Sequence, residues 1–446
     1  MNSKSAKTTN QIFSMLKNIP ILLFLVPVIS LQHLPAQSTE PLPSDGKNDA
    51  TVAIQSRLSS LAAAGGTLVL PAGQYLITGT LRIPKGVALQ GSWSAPHHGD
   101  VWQKGTTFLI TGGKGQENAR AAIEMEASTS LQGVTLIWPE QRWNDIQPYP
   151  WAIHGLGQHV TVENVTLMNA YQGIWVGSPG HLHLIRNIFG CVLRKGLFVD
   201  DCGDIGRIEN VHFNPHYWLA SGHPSSNLGV LPAMPPLPGK KPEQPANIQN
   251  VRKFMSENLE GFIFGRTDWE YVFNSFVLGA KYGYHFIKTA KGGCSGQFQG
   301  IGADNCRSCV QIDYITKYGI QVSNGDFTAF SGAPNSAVVT SPGTIGAAQF
   351  VNCNFWATPN HAVWMQGDTT VILSSCHLMN APISGEILAE HGKLIIQGCA
   401  FDKPGTAVIL KKDVRAAIIM GNLQEGGLQV QNEIGGKAQI GLNETP

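Results

Sequence analysis

Val162-Glu163-Asn164-Val165-Thr166-Leu167 is followed 23 residues later by Ile185-Arg186-Asn187-Ile188, and 23 later again by Ile208-Glu209-Asn210-Val211-His212-Phe213. The same apolar-x-Asn-apolar pattern returns as Val272-Phe273-Asn274-Ser275-Phe276 and as Phe350-Val351-Asn352-Cys353-Asn354-Phe355. Weaker copies put Gly133, Gly300, Asn324, Ser375, Gly398 and Gly421 at the Asn position. Steps along the series are mostly 23 to 28 residues, with one of 31 and one of 64 between Asn210 and Asn274. A period of that size marks a solenoid, whose units bury their apolar faces only by stacking.

The unit is a coil of strands and not a helix pair. Its apolar residues alternate with period two, favour Val, Ile and Phe, and are broken every few residues by Gly, Asn or Asp. Asn tolerates the left-handed backbone a tight turn requires, and stacked Asn side chains can bond from coil to coil as a ladder. The expected fold is all-β: a single-stranded, right-handed parallel β-helix of about 11 or more coils with an N-terminal capping helix. That helix is expected over residues 50–63, with Val52, Ile54, Leu58 and Leu61 at helical spacing, Asp49 as N-cap and Gly65-Gly66 as the stop.

Of the 446 residues only 14% are charged, and the formal net charge is +1. Such a surface offers no electrostatic basis for binding nucleic acid or an anionic membrane. Lys4, Lys7 and Lys17 precede an apolar run from Ile19 to Leu31, and Ala36 is a fitting last residue before cleavage. Residues 1–36 therefore read as a signal peptide, too short and Pro-broken to span a membrane, and the protein as secreted, periplasmic or held at the cell surface. Residues 37–446 read as one domain. Its eight cysteines suggest disulfides in an exported protein. However, Cys353, Cys376 and Cys399 each follow a turn position at 23-residue intervals, which predicts an inward stack of thiols. Cys306 and Cys309 form a lone C-x-x-C, a weak zinc signal without a second pair.

The opening run of the mature chain is distinctive. Asp45-Gly46-Lys47-Asn48-Asp49 and the helix are followed by Gly66-Thr67-Leu68-Val69-Leu70-Pro71-Ala72-Gly73-Gln74-Tyr75 and then Leu81-Arg82-Ile83-Pro84-Lys85-Gly86-Val87-Ala88-Leu89-Gln90-Gly91. This resembles the start of the pectate-lyase superfamily of exported β-helix proteins, related to polygalacturonases and rhamnogalacturonase-epimerase-like proteins. The resemblance implies a polysaccharide or oligosaccharide partner and admits a homotrimer. It does not fix the reaction, since the fold hosts hydrolases, lyases and epimerases.

Residues 92–150 read as irregular loops rich in aromatics, a candidate cleft wall. A second strand follows each turn position, as in Gly173-Ile174-Trp175-Val176-Gly177 and Gly283-Tyr284-His285-Phe286-Ile287. With Ile174, Leu197, Phe262, Tyr284 and Val310 inward, alternation turns Trp175, Phe198, Ile263, His285 and Gln311 outward. Asn210's coil is interrupted by an excursion at about 214–260, a Pro-rich loop followed by a short helix over 248–259. His216, Tyr217 and Trp218 stand at its mouth.

Chemistry is expected where Asp200 and Asp201 end one outward strand and Arg266, Asp268 and Lys288 follow in later coils. Glycoside hydrolysis needs two carboxyl groups a few ångströms apart, and Asp200 or Asp201 against Asp268 satisfies that. Asp200-Asp201 also resembles the paired aspartates of polygalacturonase-type hydrolases, which implies an acid and a water-activating base. Asn-Thr-Asp, Gly-His-Gly and Arg-x-Lys are missing from their expected places. The expected catalytic set is Asp200, Asp201 and Asp268; the expected substrate contacts are Trp175, His216, Tyr217, Trp218, Arg266, His285 and Lys288. Polysaccharide lyase chemistry is the alternative, with a base for the proton beside a uronate and cations or Ca²⁺ held by Asp200, Asp201 and Asp204. Hydrolysis calls for no cofactor or metal. A third reading is a non-catalytic glycan-binding or surface-structural β-helix.

Overall fold

The computed structural model describes residues 41–93, 102–226, 246–329, 335–358, 360–380 and 385–444. The candidate signal peptide, His97, His98 and the Pro-rich loop from Leu231 lie outside them. Residues Glu40–Pro446 form one compact unit, and among the described residues no helix is long and apolar enough to cross a membrane.

Every paired strand in the coil runs parallel to its neighbours, and each coil contributes a strand to each of three faces. On the first face, fourteen strands stack in order from Gly66–Val69 through Thr161–Val176 and Thr267–Phe273 to Ala438–Gly441. The second face begins just past the Asn turn. The third carries the outward columns, and the parallel β-helix expected from the repeat is what forms.

Each turn position adopts the left-handed backbone. Asn164, Asn187 and Asn210 have φ of 55°, Asn274 48°, Asn324 55°, Asn352 53° and Ser375 53°; glycines at 133, 300, 398 and 421 take φ between 62° and 69°. The side chains join as a ladder: Asn187 Nδ2 donates to Asn164 Oδ1 at 3.0 Å, Asn210 Nδ2 to Asn187 Oδ1 at 2.9 Å, and Asn352 Nδ2 to Asn324 Oδ1 at 2.8 Å.

Inside the coil, Ile174, Leu197, Phe262, Tyr284 and Val310 are wholly buried, as the alternation requires. Phe262 and Tyr284 stack with centroids 4.7 Å apart and planes at 5°, and the Tyr284 hydroxyl donates to the Ser275 carbonyl at 2.7 Å. Cys353, Cys376 and Cys399 lie in the core, and all eight cysteines are buried free thiols. The thiol column is thus seen, without disulfides.

Three local expectations change. Helix α1 spans Thr51–Ser60 with Ile54 and Leu58 in the core, but its N-cap is Ala50; Asp49 sits one residue outside and accepts the Thr51 N–H at 2.9 Å. The stretch read as irregular loops contains the strands Thr106–Ile110, Ile123–Met125 and Ser130–Ile137, and buries Trp138 and Tyr149. Sparse repeats hid these coils, because Gly133 is their one turn signal. In the excursion, His216–Leu219 forms helix α2 and Ala246–Asn258 forms α3. Helix α2 turns Tyr217 and Trp218 inward: Tyr217 is 3% exposed and Trp218 0%. The Trp218 Nε1–H donates to Ser225 Oγ at 2.9 Å, and Arg252 reaches the His216 ring at 3.2 Å. Tyr217 and Trp218 therefore anchor the excursion to the coil and offer no sugar platform.

Candidate functional site

The third face holds one long outward column. Register pairs Trp175 with Phe198, then Ile263, His285, Gln311, Val339 and Trp364, one coil after another. At ~4.8 Å per step, Phe198 to Trp364 covers about 24 Å. Beside it runs Lys195, Glu260, Tyr282, Ser308, Ser336 and His361.

The upper end is an aromatic platform. Trp175 stacks on His154 at 3.8 Å and lies 6.1 Å from Phe198 at 21° between planes, while Trp151 stands 6.4 Å from Phe198 at 24°. Lys195 caps Trp151 at 5.8 Å. Of the expected platform residues, Trp175 keeps the half-exposed position that a sugar ring could meet.

At the middle stands a charge network that joins three separate coils. His285 Nδ1 lies 2.7 Å from Glu260 Oε2 and Nε2 lies 2.8 Å from Asp313 Oδ2. Arg194 donates to Glu260 Oε1 at 2.9 Å and to the Asn258 carbonyl at 3.0 Å, tying the end of α3 to the face. Asp313 Oδ1 also accepts from Gln311 Nε2 at 2.8 Å and from Ser341 Oγ at 2.6 Å. Burial alone would raise the Glu260 carboxyl, yet the bonds from His285 and Arg194 outweigh it and bring it down to about 2. Asp313 likewise falls well below the carboxylate range against its own desolvation, through His285, Ser341 and Gln311. Burial would lower His285, but its two carboxylate partners raise it. His285 is only 7% exposed, so it orients Asp313, whose side chain is 43% exposed.

The lower end is a groove of about 370 Å³. Lys281, Tyr282, Arg307 and Ser308 edge it, and Gln311, Ser336, Val339, Trp364 and Gln366 complete its lining. Four of its buried polar atoms find no partner among the described residues: Arg307 Nε, Ser308 Oγ, Ser336 Oγ and Trp364 Nε1. An unpaired buried polar group costs ~1–3 kcal/mol. Arg307 Nε–H and Trp364 Nε1–H can only donate, so their complement is acceptor-rich. Of these groove residues Gln311 alone was expected on the outward face, and none was among the expected catalytic or substrate-contact residues.

The expected acids do not line one groove. Asp200 Oδ1 is taken by the Arg266 N–H at 2.8 Å and the Thr289 hydroxyl at 2.9 Å, a turn-capping role. Asp201, with φ of 55°, accepts a short bond from Ser178 Oγ and pairs with Lys291 Nζ at 3.1 Å. Those two partners, Ser178 first, hold its carboxyl low against partial burial. Asp268 opens onto a different groove, on the first face, with Trp269, Ser295 and Tyr318. Its backbone N–H donates to the Cys202 carbonyl at 2.9 Å, so the chain passes close to Asp201 before turning onto that face. Its strand leaves the corner through a bulge between Thr267 and Glu270, which redirects it. Lys288 is exposed, its ammonium 5.1 Å over the Tyr314 ring.

Calcium does not fit Asp200, Asp201 and Asp204, since the first two are already spent on protein donors and Asp204 stands exposed. Among the described residues, His183, Cys202 and Glu270 are the metal-ligating group within mutual reach. All three are buried, and the pair His183 Nε2 to Glu270 Oε1 at 2.9 Å reads as an internal ion pair. Desolvation opposes a charged His183, but Glu270 raises it well above its usual value.

With this geometry in place, the chain can be set beside known proteins. The family model for rhamnogalacturonase A/epimerase, pectate lyase-like, matches residues 42–124. The match covers the opening coils only and likens them to that family, while the coil architecture makes the chain a parallel β-helix. Bacteriophage phi29 gene product 12, in its pre-mature form, superposes with a TM-score of 0.58 at 11% identity, over 90% of this chain and 54% of the phage chain. This chain thus spans about half of that protein, and the likeness shows the fold alone. The Azotobacter vinelandii mannuronan C-5 epimerase A-module aligns over 91% of this chain and 98% of its own, at 12% identity and a TM-score of 0.40. No curated protein sequence matches the chain.

Proposed function

We propose that the protein is a carbohydrate-active enzyme that lays a carboxylated polysaccharide along its third face and cleaves it there, outside the cytoplasm. The observation that carries this reading is the lower groove, where Lys281 stands with four buried polar atoms that have no partner among the described residues, Arg307 Nε one of them. Guanidinium and ammonium groups suit a sugar carboxylate, and the remaining donors suit its hydroxyls. Trp151, Trp175 and Phe198 would seat further rings of the same chain, and the extracellular setting rests on the Lys-flanked apolar segment at the N-terminus.

Within this reading, β-elimination beside a uronate fits the groove better than hydrolysis. Cations neutralise the carboxylate and acidify the adjacent proton; Asp313, aimed by His285, Gln311 and Ser341 though made a weak base by them, takes that proton, and the glycosidic C–O bond breaks with its oxygen protonated from solvent. Hydrolysis requires a carboxyl that still holds its proton at the bond, and Glu260, Asp313 and Asp201 are all held ionised. It stays as a second reading because Asp200 and Asp201 adjoin the platform at Phe198; there Asp201 could activate water.

The test is incubation of the full chain and its Arg307→Ala, Asp313→Asn and Asp201→Asn variants with polygalacturonate, alginate and neutral glucans. Reducing ends and the ultraviolet absorbance of unsaturated uronate are read together. Elimination predicts absorbance that falls about 10²-fold or more in Asp313→Asn and Arg307→Ala and persists in Asp201→Asn. Reducing ends without absorbance, lost in Asp201→Asn, would establish hydrolysis. Silence on every substrate would sink the enzyme reading.

A further inference from the structure

The first face carries its own groove, of about 450 Å³, around the corner from the third. Its floor is the strand Cys294–Gln299, and both neighbouring strands bulge away from it. Thr267 and Glu270 pair with Cys294 and Gly296, so Asp268 and Trp269 are carried by one extra residue. On the other side Cys294 and Gly296 pair with Ile315 and Ile320, so three extra residues carry Tyr318. Bulges of this kind re-aim side chains. Here they raise two aromatic walls, Trp269 at 55% exposure and Tyr318 at 73%.

The floor between them is kept low. A Cβ at Gly296 would meet the Glu270 carbonyl at 2.5 Å, and one at Gly319, where φ is 74°, would lie 1.9 Å from the Ala347 carbonyl. Trp269 itself is held at φ of 62°, an unfavourable backbone for a bulky residue. Gln297 and Gln321 are direct register partners on the groove's floor, and among the described residues neither amide bonds to the protein. Lys317 lies 5.0 Å over the Tyr318 ring and takes one of its faces.

We propose that this groove is a second saccharide-binding site, for a neutral oligosaccharide. Exposed aromatic faces stack on sugar rings, and amides with both donors and acceptors match hydroxyls. The carboxylate of Asp268 accepts from hydroxyls and repels a sugar acid, the opposite preference to the cation-edged third face. The site requires nothing of the third-face reaction. It would hold a neutral stretch or neighbour of the substrate while another stretch is processed, raising effective concentration.

The test is calorimetric titration of the full chain with cellohexaose, mannohexaose and xylohexaose, for wild type, Trp269→Ala, Tyr318→Ala and Arg307→Ala. At least one hexaose should bind wild type. The Trp269 and Tyr318 variants should each weaken it about tenfold, the order expected for one lost stacking contact, and Arg307→Ala should leave it unchanged. Absence of binding by all three, wild-type affinity in both aromatic variants, or loss in Arg307→Ala would each overturn the proposal. Tyr318 is the more exposed wall, so its variant decides the matter if Trp269→Ala fails to fold. A protein inactive on polygalacturonate and alginate could still pass this titration, which keeps the two proposals separable.

Discussion

Glu260, His285 and Asp313 show how single residues on a repetitive scaffold acquire distinct roles. Their linkage to stability has opposite signs. Glu260, lowered from 4.5 to about 2, contributes stability that is complete above about 4.5 and is lost as pH falls toward 2. His285, raised above 6.5, contributes stability that is complete below 6.5 and fades as pH climbs through its raised value. The network is therefore at full strength between about pH 4.5 and 6.5. His285→Gln should lower the melting temperature most in that window and progressively less on either side; a pH-independent difference would show that the ring is only packed there. Glu270 gives a second expectation. Replacing it with Gln strands a buried His183, and chemical denaturation should show a loss of about 3–5 kcal/mol.

His285 was legible in advance because alternation from Tyr284 turns it outward. Arg307 and Ser308 were not, since they precede the alternation read at Val310 and Gln311, and Ser336 and Trp364 were not, since they belong to coils whose third-face strands begin without a clear Gly signal, as in Ser336–Thr340. The column stops being obvious after Gln311, although continuing the same alternation by 28 and then 25 residues reaches Val339 and Trp364. Asp268 misled for a different reason: it lies past the corner after Gly265, in the first-face strand Thr267–Phe273, where the bulge beside Trp269 adds a residue that period-two counting cannot see. Tyr217 and Trp218 failed because a four-residue helix replaced the extended path.

Among the elements, the Asn turn was the most readable, for its chemistry is local. Asn187 both donates to Asn164 and accepts from Asn210, while its backbone sits at φ of 55°. Two substitutions separate these contributions. Asn187→Gly keeps the backbone and loses both side-chain bonds, about 1–3 kcal/mol; Asn187→Ala should lose a further ~1–2 kcal/mol for the left-handed turn. Denaturant titration of the pair checks this, and equal losses would mean the backbone term is negligible. The buried cysteines illustrate the converse lesson. Their count suggested cross-links, whereas their spacing gave the correct column of thiols, because position in the coil governs what a small side chain meets.

On the scale of the whole molecule, each coil touches only its neighbours, so stability is close to a sum of coil and interface contributions. Opening should begin where one neighbour is missing. Hydrogen exchange followed by mass spectrometry is expected to be fastest in Gln429–Asn432 and Ala438–Gly441, whose residues are mostly exposed or half-exposed, and slowest in Thr161–Val176 and Leu184–Val199. Uniform protection from end to end would indicate a single cooperative unit.

The shared register of those two long strands also bears on how such a chain can change length. Thr161 pairs with Leu184, Val165 with Ile188 and Val176 with Val199, an offset of 23 residues throughout those pairs. Excising residues 165–187 would join Asn164 to Ile188 with every column still aligned. Insertions and deletions in this region are thus tolerated in quanta of one turn, like links of a chain. A lineage that gains or loses whole links would lengthen or shorten its sugar track without redesigning the residues that remain.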